Sequence, residues 1–344
     1  MSDTLTQRRK PFRGSGEQLS TQGGSTRLAR LRKDYYAYLF LAPFIIGFLI
    51  FGLYPLYNTL ALSFTDYTLI ARKGNFIGLD NFVRLFADDV FLKAVRNTWL
   101  IWILNFIPQI GIALLLSMWF TSTRLKLKAV GVWRALFFLP NLLMPAVVAA
   151  LFFSLFSYYG PVNQFMVRAG FLQDAMQFLQ NVSVTRGLVI FIQWWMWFGQ
   201  TIIIVMAGMT SIPISYYEAA MVDGATATQM FGRITLPLLK PILIYIFVTS
   251  LVGGMQMFDI PRLLTDGRGS PGGSIMTNNI LMYLKFASSK GHIGAASSVG
   301  VLIFIMTSIC ALGIFYVLRD KDAADYNRSI KKLPFARRAG RQQP

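Results

Sequence analysis

Two long apolar segments of the chain are separated by the polar sequence Tyr217-Glu218-Ala219-Ala220-Met221-Val222-Asp223-Gly224-Ala225-Thr226. Ser215 and Glu218 have the S-x-x-E spacing of a capping box, which predicts a helix that begins near Tyr216. Gly224 is expected to end this helix, because glycine accepts the positive φ that a tight helix terminus requires. The first half of the stretch is therefore predicted to be a short, capped helix.

A second short helix is predicted directly after the first. Thr226 and Gln229 repeat the capping-box spacing, and Pro237 is expected to interrupt the helix that they begin. Two capped helices hinged at Gly224 would form a surface module within the segment 211–237. The alternative is an ordinary amphipathic connector between two larger elements, because capping boxes are common.

The composition of the chain is that of a membrane protein. Of its 344 residues 54% are hydrophobic and 14% are charged, and the mean hydropathy is +0.50, whereas about a quarter of the residues are charged in a soluble protein. Six apolar stretches have the roughly 20 residues that a helix needs to cross a bilayer. They lie at 38–63, 98–120, 133–157, 187–209, 238–258 and 297–318. The predicted fold class is all-α, a polytopic membrane protein with six transmembrane helices and a cytoplasmic helix-turn-helix loop at 211–237.

Basic residues are distributed unevenly between the two sides of this six-span arrangement. A net charge of +18 would suggest nucleic-acid binding in a soluble protein, but here the charge is concentrated in the ends of the chain and two loops. The side with 22 Lys and Arg comprises 1–37, 121–134, 210–240 and 319–344, and the side with 11 comprises 64–97, 158–186 and 259–296. The positive-inside rule therefore predicts that both termini and the 210–240 loop are cytoplasmic, and no nucleic-acid partner is expected.

The two basic ends are predicted to be tails of a membrane domain at 38–318. Residues 1–37 are rich in Gly, Ser and Arg, which predicts a disordered cytoplasmic tail. Residues 319–344 are predicted to form a second basic cytoplasmic tail. Both tails could rest on anionic lipid headgroups; alternatively, their charges serve only to determine the topology.

The chain lacks the sequence features that several kinds of chemistry require. No G-x-x-x-x-G-K-[ST] sequence is present, so P-loop ATP hydrolysis is not expected. The two glutamates, Glu17 and Glu218, fall outside the predicted spans, which argues against an ion-coupled carrier, because such carriers usually need intramembrane ionisable residues. Paired carboxylates, a nucleophile elbow and a metal-ligand cluster are also missing, and we therefore predict no catalytic residue, no metal site and no cofactor in this chain.

The full pattern E-A-A-x-x-D-G-A…F-x-x-I-x-L-P resembles the EAA loop of permease subunits in ABC-type importers. In that family the loop docks into a groove on a separate ATPase, which binds ATP and Mg²⁺. The resemblance implies ATPase-coupling roles for Glu218, Ala219, Ala220, Asp223, Gly224, Ala225, Phe231, Ile234 and Pro237. It also implies that the chain is not itself an enzyme.

Shorter elements between residues 35 and 318 resemble the carbohydrate-uptake subgroup of these permeases, the maltose and glycerol-3-phosphate type. They are Phe76–Phe82 after the first span, Leu139-Pro140 and Pro145 in the third, Tyr159–Asn163 after it, and Phe258–Gly267 after the fifth. The chain departs from the subgroup at Arg268–Gly273, where a G-G-P sequence is usual. Contact of this loop with an external binding protein therefore does not follow from the resemblance.

Candidate substrate contacts lie on the fourth and fifth spans. Sugar sites combine aromatic faces with a few amide or hydroxyl groups, and both spans offer such side chains. The resemblance implies that the substrate path is lined by Met196, Trp197 and Gln200 of the fourth span and by Ser250, Gly253, Gly254 and Met257 of the fifth. The two glycines are expected to leave room for a bulky ligand. Alternatively, small residues at this spacing mark close helix packing, and tryptophans can face lipid.

The predicted function follows from the resemblance. It implies a transmembrane permease subunit of an ATP-driven importer for a di- or oligosaccharide, in the cytoplasmic (inner) membrane of a bacterium or archaeon. The implied partners are a second, homologous permease subunit, two ABC ATPase subunits, an extracellular or periplasmic solute-binding protein and membrane lipid. The alternatives are an importer permease for a non-sugar solute and an ion-coupled secondary carrier.

Overall fold

The computed structural model describes residues 27–122, 125 and 127–318, with side chains from residue 38 onward. These ranges are mainly helical and contain no strand; isolated antiparallel bridges join Thr65 to Phe76, and Thr68 to Lys73 and His292. The helices are α1 (Arg27–Phe48), α2 (Tyr54–Ser63), α3 (Asp80–Phe86), α4 (Asp89–Thr121), α5 (Val130–Phe138), α6 (Pro145–Phe156), α7 (Pro161–Arg168), α8 (Val182–Thr210), α9 (Ile214–Val222), α10 (Ala227–Met230), α11 (Leu236–Met255), α12 (Asp259–Leu263), α13 (Asn278–Phe286) and α14 (Ile293–Leu318). Five-residue π turns at Leu49–Leu53 and Phe231–Thr235 connect α1 to α2 and α10 to α11.

The chain divides between Tyr54 and Pro55 into two compact units. Within the described residues, the first unit consists of α1, the π turn at Leu49–Leu53 and Tyr54. The second unit, Pro55–Asp320, contains α3 to α14 and most of α2. The side chains predicted to line a substrate path and those of the 211–237 segment all belong to this second unit.

Six helical segments of the described chain are long and apolar enough to cross a membrane, so the predicted six-span, all-α fold is confirmed. They are Tyr38–Ser63, Asp89–Thr121, Pro145–Arg168, Val182–Thr210, Ala227–Leu263 and Ile293–Leu318. The first has the bounds that its hydropathy predicted. The second begins nine residues earlier than predicted, because the Asp88 side chain caps α4 by accepting a hydrogen bond from the Val90 N–H at 2.9 Å.

The third predicted span, 133–157, is wrong as a single helix. α5 ends at Phe138, a 3₁₀ turn occupies Leu139–Leu142, and α6 begins at Pro145. Pro140 and Pro145 explain the break, since proline removes a backbone donor and disfavours helical geometry in the residue before it. The membrane-length segment in this region therefore starts at Pro145.

The predicted disorder of the amino-terminal tail is wrong for its last part. α1 begins at Arg27, so residues 27–37, which were expected to be disordered, are helical. The remainder of that tail, residues 1–26, lies outside the described residues, as does the whole predicted tail at 319–344.

Three long helices, α4, α8 and α11, form the centre of the second unit. Ile101 on α4, Ile192 on α8 and Leu251 on α11 are fully buried in a common apolar core. A side-chain hydrogen bond also joins α4 to α8, in which the Gln109 Nε2 amide donates to Thr201 Oγ1 at 2.7 Å. Interhelical hydrogen bonds of this kind stabilise the association of transmembrane helices, because lipid tails are as apolar as the side chains and the hydrophobic effect does not drive the helices together.

Candidate functional site

The first helix of the 211–237 segment begins differently from the prediction. α9 starts at Ile214, directly after Pro213, and the Pro213 position has no side-chain cap. The predicted capping box of Ser215 and Glu218, with a start near Tyr216, is therefore wrong. The fixed φ of proline suits the entry to a helix, so the helix begins earlier and Ser215 lies inside its first turn.

The turn between the two helices follows the prediction. Gly224 has a φ of +75°, and its N–H donates to the Met221 carbonyl at 3.1 Å. The Ala225 N–H donates to the Ala220 carbonyl at 2.8 Å, so both bonds satisfy carbonyls at the end of α9. Glycine is suited to this position because a side chain rarely adopts such a φ.

The second predicted capping box is confirmed. The Gln229 N–H donates to Thr226 Oγ1 at 3.3 Å, and the Thr226 N–H donates to Gln229 Oε1 at 2.8 Å. Each side chain thus satisfies a backbone donor at the start of α10.

The second helix is not short, and the prediction that Pro237 interrupts it is wrong. α10 continues through the π turn Phe231–Thr235 into α11, which places Pro237 in the first turn of α11. The carbonyl four residues before Pro237 belongs to Arg233, inside the wider π turn, which accommodates the proline ring. The same π turn contacts α9, because the Tyr217 hydroxyl lies 2.9 Å from Thr235 Oγ1.

The nine residues assigned to ATPase coupling lie at or near the surface of this segment. The residues that are exposed are Glu218, Ala219, Asp223, Gly224 and Pro237, and those that are half-buried are Ala220, Ala225, Phe231 and Ile234. Their neighbours Ile214, Tyr216, Met221 and Val222 are apolar and also exposed. The arrangement is an accessible helix with an apolar surface and an acidic residue.

A cleft of about 260 Å³ opens between α4, α6, α8, α11 and the start of α12. The structure brings all seven predicted path residues to this cleft: Met196, Trp197, Gln200, Ser250, Gly253, Gly254 and Met257. Trp197 is 47% exposed, whereas Met196 and Met257 are 3% and 4% exposed. The indole of Trp197 is therefore available to a ligand, and the two methionines serve chiefly to pack the wall.

The expectation that both glycines of α11 leave room for a ligand is wrong for Gly254. A Cβ added at Gly254 would lie 2.0 Å from Trp102 Cδ1, so the missing side chain makes room for the indole of α4. A Cβ added at Gly253 would have no heavy atom within 4 Å, leaving that position open. Close helix packing, the alternative explanation of this spacing, therefore applies to Gly254.

The third wall of the cleft comes from α4, and sequence reasoning missed it. The Trp102 Nε1–H donates to Ser250 Oγ at 3.2 Å, and its ring stacks on Phe106 at a centroid distance of 5.5 Å. Asn105 and Gln109 line the same wall, and their amide nitrogens donate to the Ile101 carbonyl at 3.0 Å and to Thr201 Oγ1, which leaves their amide oxygens as acceptors. Two amides four residues apart in an apolar span were a visible signal, since polar groups at membrane depth usually face the protein interior.

Further polar groups of the cleft lie on α8, near the end of α11 and at the start of α12. They are Gln193, Thr201, Thr249, Gln256 and Asp259. Together with the amides of α4, they surround an aromatic surface with hydrogen-bond donors and acceptors. Such a site can bind an uncharged, hydroxyl-rich molecule through stacking and hydrogen bonds.

Residues 95–321 match the family described as the binding-protein-dependent transport system inner membrane component. The chain belongs to this family. The matched range starts within α4, so it includes both the cleft and the α9–α10 segment of this inner membrane component. With six membrane-length helices, it is a multi-pass membrane protein.

Individual relatives of this inner membrane component transport sugars, according to their names. The lactose transport system permease protein LacF of Rhizobium radiobacter is 31% identical over 84% of this chain and 97% of its own length. The arabinooligosaccharides transport system permease protein AraP of Bacillus subtilis is 28% identical over 80% of this chain and 86% of its own length. A solved structure, that of a bacterial ABC transporter that imports the acidic polysaccharide alginate, matches with a TM-score of 0.71 at 26% identity, covering 85% of this chain and 98% of the matched chain.

The loop at Arg268–Gly273, where the family sequence differs, is bound to two helices of this inner membrane component. Asn97 Nδ2 on α4 donates to the Gly273 carbonyl at 2.8 Å, and Arg186 Nε on α8 donates to the Ser274 carbonyl at 3.2 Å. Burial acts to raise the pKa of Asp266, but hydrogen bonds from the Ser270 hydroxyl and from the Arg268 and Ser270 N–H groups, with the Arg268 charge, hold it below its usual value. The loop is thus held both by hydrogen bonds from α4 and α8 and by those that its own residues make to Asp266.

Proposed function

We propose that the chain is a permease subunit of an ATP-driven importer that moves a di- or oligosaccharide through the cytoplasmic membrane. The observation that carries the proposal is the cleft, in which the half-exposed Trp197 lies among amides and hydroxyls. Its indole can stack on the C–H face of a sugar ring. Gln200 and Ser250 can both donate and accept hydrogen bonds, as sugar hydroxyls require. The lactose and arabinooligosaccharide relatives support a sugar as the cargo.

The α9–α10 segment is proposed to dock onto a separate ATPase subunit, which would bind ATP and Mg²⁺. Exposed apolar residues such as Ile214 and Val222, beside the exposed Glu218, form a surface suited to a protein groove. The turn at Gly224 sets the direction in which α9 projects from α10. This geometry supports the coupling role that the sequence pattern implies.

A continuous route leads from the docking segment to the cleft. The contact between Tyr217 and Thr235 joins α9 to the π turn, and α11 continues from that turn to Ser250 and Gly253. We therefore expect a movement of α9, driven by closure of the ATPases, to displace the α11 wall of the cleft. Rigid-body motion of packed helices is a common way to switch between two states.

The proposed assembly contains two permease subunits, two ATPase subunits and a solute-binding protein on the outer side. Six spans would enclose only half of a pathway, so a second, homologous permease is needed to complete it. The family description supports dependence on a binding protein. The structure of an alginate importer with a periplasmic protein bound to alginate pentasaccharide, at 25% identity and a TM-score of 0.70, supports the same arrangement.

Both termini and the α9–α10 segment are proposed to be cytoplasmic, because the side with 22 Lys and Arg should face inward. Reporter fusions after Gly224 should give a cytoplasmic signal, and fusions after Arg268 should give an external one. A cytoplasmic signal from the Arg268 fusion would contradict this orientation.

Replacing Trp197 by alanine tests the sugar-binding role of the cleft. Loss of stacking and burial by one aromatic ring corresponds to about 1–3 kcal/mol, so the half-saturation concentration for transport should rise roughly fivefold or more. The complex, with its permease, ATPase and binding-protein partners, is reconstituted in liposomes and supplied with radiolabelled lactose, maltose and arabino-oligosaccharides. Trp119→Ala is the matched control, because Trp119 is also 47% exposed but does not line the cleft.

The same liposomes distinguish the alternatives to a sugar importer. Uptake of amino acids or peptides, with none of these sugars, would contradict the cargo. Uptake that survives ATP removal but stops with an uncoupler would indicate an ion-coupled carrier. Equal half-saturation concentrations for Trp197→Ala and Trp119→Ala would assign Trp197 to lipid or packing contacts.

A further inference from the structure

A second cavity, of about 480 Å³, lies apart from the cleft, on the side of the fold that is proposed to face outward. Two segments form its walls, residues 66–88 after the first span and residues 285–295 at the start of the sixth. The cavity and the cleft share no lining residue. Its charged and titratable lining residues are Asp66, Arg84, Asp88, Lys285, Lys290 and His292. The cavity is therefore a charged feature of the outer side that has no part in the proposed sugar site.

The first wall begins with a hairpin, residues 65–76, which we call the outer hairpin. Thr68 forms antiparallel bridges to Lys73 within the hairpin and to His292 in the other wall. The Gly294 N–H also donates to a carbonyl of the hairpin at 3.0 Å. The backbone of the hairpin is thus ordered before any partner arrives, so binding to it loses little conformational entropy.

Basic side chains outnumber acidic ones in the two walls, and the acidic ones already have partners. Asp66 accepts a hydrogen bond from a backbone N–H of the outer hairpin. Asp80 pairs with Arg84, and Asp88 pairs with Lys285 at 3.2 Å. Three exposed cations form no side-chain hydrogen bond or ion pair with any other described residue: Arg72, Lys73 and Lys290. These positive charges are therefore available to a partner.

Apolar side chains accompany the cations on the outer hairpin. Ile70 at its tip is 72% exposed, and Leu69 and Phe76 are exposed as well. Exposed apolar groups rimmed by polar residues mark sites that contact a protein or a membrane. Acyl chains would not fill the adjacent cavity, because its charged walls would lose hydration without gaining a polar partner. A protein that offers acidic side chains fits both the hairpin and the cavity.

We propose that the outer hairpin and the cavity beside it bind acidic side chains of the solute-binding protein, which is an inference that rests on the proposed function. Opposite charges on two proteins steer their association and fix the register in which they dock. The ammonium groups of Lys73 and Lys290 supply that attraction, and the cavity has room for a carboxylate side chain beside Lys285. The exposed Ile70 would be covered by the same contact.

Family membership does not assign this role to the outer hairpin. The family match covers residues 95–321, so the hairpin at 65–76 precedes it. The description of the family names a dependence on a binding protein but no surface that receives one. The assignment of the docking surface depends instead on the charges, the exposed apolar groups and the cavity of this chain.

Charge reversal on the outer hairpin and beside it tests the proposal. The complete complex is placed in lipid nanodiscs, and association of its purified solute-binding protein is followed by surface plasmon resonance at low salt. Lys73→Glu and Lys290→Glu should each lower the association rate constant about tenfold, and the difference from wild type should shrink as salt is added. Arg168→Glu is the matched control, because Arg168 is an exposed cation of the same side that does not line the cavity. It should change the rate constant less than about twofold.

Cross-linking of the wild-type complex provides a second measurement, which does not depend on how the variants fold. A carbodiimide joins lysine amines directly to carboxylates, so mass spectrometry should find Lys73, Lys285 or Lys290 joined to Asp or Glu of the solute-binding protein. Wild-type association rates in both variants, together with no such cross-link, would overturn the docking surface. An association rate that depends on the anionic lipid content of the nanodisc, and on neither lysine, would assign the hairpin to the membrane and also overturn it. Both results would leave sugar uptake by the wild-type complex intact, whereas absence of that uptake would overturn the proposed function.

Discussion

A complex that carries Gly224→Val should hydrolyse ATP while moving little substrate, with transport per ATP at least tenfold below wild type. Gly224 has a φ of +75°, which a β-branched residue adopts only with strain. A Cβ at this position would have no heavy atom within 4 Å, so the damage comes from the backbone and not from a clash. The turn should relax, which would turn α9 away from its docking direction while the spans remain folded.

Gly232→Val is the matched control for this prediction. Gly232 lies in the same segment and also has open space around an added Cβ, but its φ is not positive. Retention of the ATPase subunits is measured by co-purification, and transport per ATP is measured in liposomes. If Gly224→Val and Gly232→Val both retain wild-type coupling, α9 is only a connector and the proposed docking role is wrong.

The membrane spans were predictable because the signal for them is local. A helix that crosses lipid must satisfy its own backbone and present apolar side chains over about 20 residues, and the segment 38–63 shows this by composition alone. The helix starts were less predictable, because competing local signals occur together. At α9 the fixed φ of Pro213 determined the start, although Ser215 and Glu218 had the spacing of a capping box.

The residues of the candidate site were predictable where they lie together on one helix, and they were not predictable where two helices must pack to bring them together. The resemblance assigned Trp197 and Gln200 of the fourth span, and Ser250 and Gly253 of the fifth, to the substrate path, and all four line the cleft. The wall from α4 depends on packing between residues 148 positions apart, as in the bond from Trp102 to Ser250. The different roles of Gly253 and Gly254 have the same cause, since only the position of the Trp102 ring distinguishes them.

Gly199→Ala should be the most destabilising single-methyl change near the cleft. An added Cβ would lie 1.9 Å from the Phe137 carbonyl oxygen, and 2.9 Å from the Phe138 nitrogen. Both are backbone atoms, which cannot rotate away as a side chain can, so α8 would have to separate from the end of α5. Overpacking of this kind costs about 1–3 kcal/mol or more. The melting temperature in detergent and the yield of monodisperse protein should both fall.

Gly187→Ala on the same helix isolates the effect of this contact. A Cβ at Gly187 has no heavy atom within 4 Å, so alanine there should be neutral or stabilising, by up to about 1 kcal/mol of helix propensity. Gly199 is also the residue directly before Gln200 and two after Trp197, so a shift of α8 at this point would move both side chains in the cleft. Gly199→Ala protein that folds should therefore bind sugar more weakly, although position 199 does not line the cleft. Equal melting temperatures for the two variants would show that close packing of Gly199 on Phe137 does not limit the stability of the fold.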